Sequence, residues 1–235
     1  MNVLLIAMDQ EFKALETKYS LKKLEHKHVT AYIPNTTNNW IILRAGIGPI
    51  ATSIALTQIA ALHKIKNIIH FGVGGSVSDS VQVGDYVIAN KVIQHDSVYI
   101  SDEMKDLMGT AQLYLSRPDD LVKEIETSVK LTSILESFCR ENEFNYITGP
   151  IASGSSFVAA PKIKKDIAKM TNAIMVEMEA AAAIYFSDMY NVNYGFIKIC
   201  SDSHESNAID EYADFVSSNV KTIPKLLELL DKELS

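Results

Sequence analysis

The chain reads as an α/β protein with a largely parallel sheet. Three observations predict this. Short apolar runs of strand length recur along it, as strands buried on both faces require. Stretches with helical spacing of apolar residues lie between them. Acids and glycines cluster just past the ends of the runs, where open α/β sheets bind ligands.

The elements follow in order. Residues 3–8, VLLIAM, form the first strand, and residues 40–45, WIILRA, another. Gly46-Ile47-Gly48-Pro49 opens a helix, since proline suits the first helical turn and Ile50, Ile54, Ala55, Ala61 and Leu62 suit one buried face. Residues 65–71, IKNIIHF, form a strand ending in the glycine-rich run Gly72-Val73-Gly74-Gly75-Ser76. Residues 86–89 follow Gly84-Asp85 as a strand. Residues 132–143 read as helix, and residues 147–152 as a strand before Ser153-Gly154. Residues 174–176 form a strand that feeds Glu177 to Glu179 into an alanine-rich helix. Residues 194–200 are the last strand, and residues 220–234 a closing amphipathic helix. With no linker, repeat or low-complexity stretch, residues 1–235 read as one domain.

Bulk properties exclude several function classes. A length of 235 residues accommodates one large core. A net charge of −7 argues against a nucleic-acid backbone as partner, because phosphate binding needs clustered Lys and Arg. No apolar run reaches the roughly 18 residues of a membrane span. The first residues, MNVLLIAMDQEF, lack a basic region and reach acid by Asp9, unlike a secretory signal. Cys139 and Cys200 lack metal-ligand spacing, and Cys200 sits in a strand-like run as a small core residue. A cytoplasmic location with reduced thiols is expected.

The chemistry-bearing residues stand out by their settings. Glu177 and Glu179 lie in the apolar run of residues 173–186, AIMVEMEAAAAIYF. A carboxylate buried there needs a partner or it neutralises. The partner is a protein donor, in a buried ion pair or a helix-entry cap, or a metal, or the hydroxyls and bases of a ligand. Glu11 follows the first strand, where it can stabilise the next helix through its dipole or act in a site. Asp202 follows the last strand, whose apolar wall should raise its pKa, with Ser201 beside it. Gly72-Val73-Gly74-Gly75 matches neither a Walker A loop nor GxGxxG, so it serves equally as a tight strand exit or a ligand approach. Gly46-Ile47-Gly48 can bind an anion at a helix N-terminus or simply pack. His95 and Asp96, adjacent on a strand, point to opposite faces and make a poor catalytic dyad. No histidine has metal-ligand spacing, and no metal or cofactor is expected. Phe157 reads as core on composition alone.

Together these positions resemble the nucleoside phosphorylase/hydrolase family, specifically its bacterial methylthioadenosine/S-adenosylhomocysteine nucleosidases. The resemblance runs through IAMDQEFKAL, RAGIGPIATSIAL, FGVGGSVSDSVQVGDYVIANKVIQHD, IASGSSFV, VEMEAAA and KICSDSHE. VEMEA followed about twenty residues later by Ser-Asp is its most specific part. The resemblance implies a three-layer sandwich around a central mixed, largely parallel sheet. It implies hydrolysis of the N-glycosidic bond of methylthioadenosine or S-adenosylhomocysteine, by a homodimer. Asp202 would protonate the purine N7 and Glu11 activate the attacking water. Glu179 would hold the ribose hydroxyls, with Met178 against the sugar. Phe157 would stack on the base, the Val158 backbone would read its edge, and Ser201 would hold Asp202 or the base. Val73 and Glu177 complete the expected site. Val73, Ser155 and Lys198 stand where the family usually has Ser, Asp and Arg, and the segment of residues 99–118 matches poorly.

Three rivals remain at this stage. A futalosine-type hydrolase would use the same three acids. A purine nucleoside phosphorylase would need a phosphate pocket, usually with Arg near the first strand and before the glycine run, where this chain has Asp9-Gln10-Glu11 and His70-Phe71. A catalytically inactive binding module would have lost an acid, and all three are present.

Overall fold

The structure is a computed structural model that describes residues 1–26, 28–37, 39–102, 124–205 and 222–234, and the backbone of 105–107. Its spine is β1 (Asn2–Ile6), β4 (Trp40–Arg44), β5 (Asn67–Ser76) and β12 (Asn193–Asp202), all parallel, in the order β4-β1-β5-β12. Successive side chains of β1 point to opposite faces. Val3 and Leu5 pack in one apolar layer, Leu4 and Ile6 in the other. The first layer is covered by α2 (Pro49–Leu62) and α5 (Ala180–Tyr190). Helix α2 turns Thr52, Ala55, Leu56 and Ile59 inward; of the face expected to be buried only Ala55 is, while Ile50, Ile54, Ala61 and Leu62 are exposed, because the wider apolar surface of this helix let sequence spacing pick the wrong side. The second is covered by α1 (Asp9–Glu16), α3 (Val129–Glu141) and α6 (Ile223–Leu234). A sheet so sandwiched has no wet face, which is why its strands are apolar throughout.

Beyond β12 the sheet turns mixed. Strand β6 (Tyr86–Gln94) runs antiparallel to β12, β10 (Tyr146–Ser153) parallel to β6, and β11 (Met175–Glu177) parallel to β10. Then β11 pairs antiparallel with the far end of β5, Met175 with Ser76 and Val176 with Gly75. Five strands thereby close into a ring. The helix α4 (Pro161–Thr171) packs outside β10. At the other edge β3 (Thr30–Pro34) and β2 (Leu21–Lys23) finish the sheet antiparallel, and β9 (Ile125–Glu126) pairs with β6. A separate hairpin pairs β7 (Val98–Ile100) with β8 (Lys105–Leu107).

This is the sandwich expected, with corrections of detail. The glycine-rich run is not a loop: β5 continues through Gly72 to Ser76, because those residues serve β12 on one side and β11 on the other. Strands β2, β3, β7, β8 and β9 were not anticipated; they are short, partly exposed where described, and carry apolar runs of at most three residues. Helix α3 starts three residues before the expected 132, capped by the Ser128 hydroxyl, which accepts from the Leu131 amide. Within the poorly matching segment of residues 99–118, residues 103, 104 and 108–118 lie outside those described. Both cysteines are buried and free. Among the described residues no helix is long and apolar enough to cross a membrane.

Ring closure rests on Gly74. A Cβ there would lie 2.8 Å from the Met175 sulfur and 3.1 Å from the Val176 carbonyl oxygen, so β11 could not approach. Gly74→Ala is expected to destabilise the protein by about 1–3 kcal/mol, the usual cost of overpacking. Urea unfolding of the two proteins measures it; equal midpoints would show that the β5–β11 closure does not depend on this glycine.

Candidate active site

A cavity of about 210 Å³ opens at the C-terminal ends of β1, β5 and β12, beside β11. All nine residues of the expected site line it: Glu11, Val73, Phe157, Val158, Glu177, Met178, Glu179, Ser201 and Asp202. Phe157 is half exposed there rather than packed in the core, contrary to the reading from composition alone.

Glu11 sits at the third position of α1. Its Oε2 accepts hydrogen bonds from the Ala7 and Met8 amides, 2.9 Å each, closing the N-terminus of the helix. The helix-stabilising and site readings therefore both hold geometrically. Its Oε1 reaches over Gly72, where a Cβ would stand 2.6 Å away. Burial pushes the Glu11 pKa up to about 7, against the opposing charge of Lys198.

Glu177 and Glu179 share one buried cation. The Lys198 ammonium donates to Glu177 Oε2 at 2.9 Å and to Glu179 Oε2 at 2.8 Å. Glu177 also accepts from the Glu179 and Ala180 amides, capping α5. Burial alone would raise the Glu177 pKa, but Lys198 and these donors outweigh it and hold it low. Glu177 thus takes protein donors, the buried ion pair and helix-entry cap among the sequence alternatives. Glu179 differs: among the described residues its Oε1 accepts only from the Gly48 amide, at 2.9 Å. The anion at the start of α2 is therefore this carboxylate, and Gly48 takes a φ of 91° to present its N–H.

Asp202 lies over Gly75, where a Cβ would be 2.7 Å from its Oδ2. A bulge aims it. Cys200 pairs with Gly74 and Asp202 with Gly75, so Ser201 is the extra residue. Ser201 Oγ donates to Asp202 Oδ1 at 2.7 Å. The apolar wall expected beside Asp202 is present, but so is a cation that sequence reading missed: Lys164 donates to Oδ2 at 2.5 Å.

Three other expectations can be placed. His95 and Asp96 do not line the cavity. The Asp96 carboxylate accepts from the Ser155 amide at 2.6 Å and from Gln94, and so holds the loop that carries Phe157. The fold does bring one histidine to two acids: His70, Glu177 and Glu179 place ligand atoms within 4.8 Å of one another. Lys198 already binds both carboxylates, so a cation's place there is held by its ammonium. Glu11 has no arginine in its sequence neighbourhood, but in space Arg44 pairs with Asp9 at 2.8 Å, and Lys198 acts on Glu11 directly.

Chemically, the cavity combines a carboxyl near neutrality, a carboxylate with an amide partner, and a hydroxyl-braced acid over a glycine floor. The Phosphorylase superfamily model matches residues 3–230. The 5′-methylthioadenosine/S-adenosylhomocysteine nucleosidase of Staphylococcus haemolyticus is 26% identical over 232 residues, covering 97% of each chain. That of Actinobacillus succinogenes is 29% identical over 217 residues, covering 89% of each. Among solved structures, the corresponding Helicobacter pylori nucleosidase in complex with a substituted pyrrolidin-3-ol superposes with a TM-score of 0.84 at 22% identity, covering 98% of this chain and 97% of that one. The futalosine hydrolase of the same organism gives the same TM-score and identity, covering 99% and 97%. The chain belongs to the phosphorylase superfamily.

Proposed function

We propose that the protein hydrolyses the N-glycosidic bond of methylthioadenosine or S-adenosylhomocysteine and releases adenine. The observation that carries this reading is the convergence of Glu11, Glu179 and Asp202 on one cavity. The nucleosidase names of the curated relatives support it.

Breaking the bond from the sugar C1′ to the purine N9 leaves a cationic sugar and puts the bond's electron pair on the base. Asp202 gives its proton to N7, so the base departs neutral. Water bonds to C1′ and passes a proton to Glu11. Glu179 accepts from the ribose hydroxyls, and its charge stabilises the cationic sugar. Met178 packs on the sugar, Phe157 stacks on the base and the Val158 backbone meets its edge. Glu177 acts by fixing Lys198 and the start of α5, since its oxygens are already engaged. Glu11 and Glu179 both repel a phosphate anion, which favours water over phosphorolysis.

Ile47, Ile50 and Ile54, at helical spacing, are 60%, 77% and 50% exposed. Ile47 also lines the cavity. Tyr99 and Ile100 of β7 stay exposed as well. A second copy of the chain packed on such a stripe buries it and walls the cavity, so the working form is a homodimer. Light scattering at micromolar concentration should return twice the mass of one chain; the mass of one chain removes the dimer.

A nucleoside panel assayed for free base tests the activity. Methylthioadenosine or S-adenosylhomocysteine should be cleaved fastest. A raised carboxyl pKa means Glu11 is protonated, and idle as a base, below about pH 7. The base-dependent limb of kcat/KM should therefore rise through about pH 7. Glu11→Gln should lose about 10²-fold or more in turnover while still binding substrate. A variant as active as the parent at every pH would take Glu11 out of the reaction.

A further inference from the structure

Helix α4 carries four lysines. Lys162, Lys165 and Lys169 are exposed, as a solvated helix face requires. Lys164 is fully buried, on the stripe it shares with Ile167 and Thr171. A buried ammonium is costly unless opposite charge and acceptors meet it. This one meets two: Asp202 Oδ2 and the Ser203 carbonyl oxygen, both at 2.5 Å. With Ser201 donating to Oδ1, each oxygen of the Asp202 carboxyl has a protein donor. The carboxyl therefore has no freedom to turn.

We propose that Lys164 is a positioning residue that holds Asp202 and stabilises the carboxylate formed as its proton leaves. The inference rests on the reading of Asp202 as the acid. When the Asp202 O–H bond breaks and the proton joins the purine nitrogen, the electron pair stays on the carboxyl oxygen. Negative charge then develops beside a fixed ammonium, which keeps all its own protons. The attraction is stronger in the transition state than before it, and so it accelerates the step. Helix α4 begins directly after the loop bearing Phe157 and Val158, with the Lys164 amide donating to the Ala160 carbonyl. The same lysine thereby ties the base-facing loop to the acid.

The test compares two leaving groups on one sugar: adenine, which needs a proton, and 4-nitrophenolate, which does not. Lys164→Met should lower kcat for the adenine nucleoside by about 10²-fold, the scale of general acid catalysis, with little change in KM. It should slow the 4-nitrophenyl glycoside by less than about threefold. Lys164→Arg should restore part of the loss. In an Asp202→Asn background, where no proton can be given, adding Lys164→Met should cost nothing further, and this neutral pair also guards against a failure to fold. Equal losses on both leaving groups, or a full additional loss in the Asn background, would overturn the proposal. An active Asp202→Asn enzyme would sink the acid assignment itself. An inactive Asp202→Asn beside a fully active Lys164→Met would sink only the role of Lys164.

Discussion

The site depends on one buried cation, the ammonium of Lys198. It is 2% exposed and lies between Glu177 and Glu179, with Glu11 close enough to act on it. Burial would strip its proton, but the three carboxylates outweigh burial and push its pKa up. The dependence runs both ways. Without the lysine, three acids would face one another in a low-dielectric cavity and take up protons instead of serving as charges. Burial still leaves Glu11 near neutrality, against the pull of Lys198. One cation thus holds three chemically similar acids in three settings: Glu177 caps α5, Glu179 bridges Lys198 to the Gly48 amide, and Glu11 is titratable.

The backbone makes this crowding possible. Glu11, Lys198 and Asp202 all cross the end of β5, and they do so over glycines. The missing side chain of Gly72 leaves space for Glu11 Oε1 and for the Lys198 stem, and that of Gly75 for Asp202. Gly74 admits the strand that delivers Glu177. None of the three has a positive φ, so the glycines are needed for close approach and not for a turn. The bulge at Ser201 completes the arrangement by turning Asp202 toward the cavity while Cys200 stays in the core.

Much of this was legible in the sequence because burial and charge leave local marks. Apolar runs located the parallel spine, since strands covered on both faces cannot alternate. The acids past those runs, and their resemblance to a known pattern, located the cavity wall from Glu11 to Asp202. What escaped depends on pairing between distant segments. The antiparallel return of β11 onto β5 leaves no periodic signature, so Gly72–Ser76 looked like a loop. Lys198 was read as a departure from arginine and not as the partner of the two Glu. Lys164 was hidden among four lysines of one helix, although its place on the apolar stripe with Ile167 was a usable signal. The unanticipated strands carry apolar runs of at most three residues, too short to mark a strand.

The central claim is that this cluster of acids directs water, and not phosphate, to the sugar. The direct measurement is a reaction with methylthioadenosine in ¹⁸O-labelled water containing millimolar phosphate, with the products read by mass spectrometry. The account predicts unlabelled adenine and a free sugar carrying one ¹⁸O, formed at a rate independent of phosphate. A sugar 1-phosphate as the main product, formed faster as phosphate is raised, would contradict it.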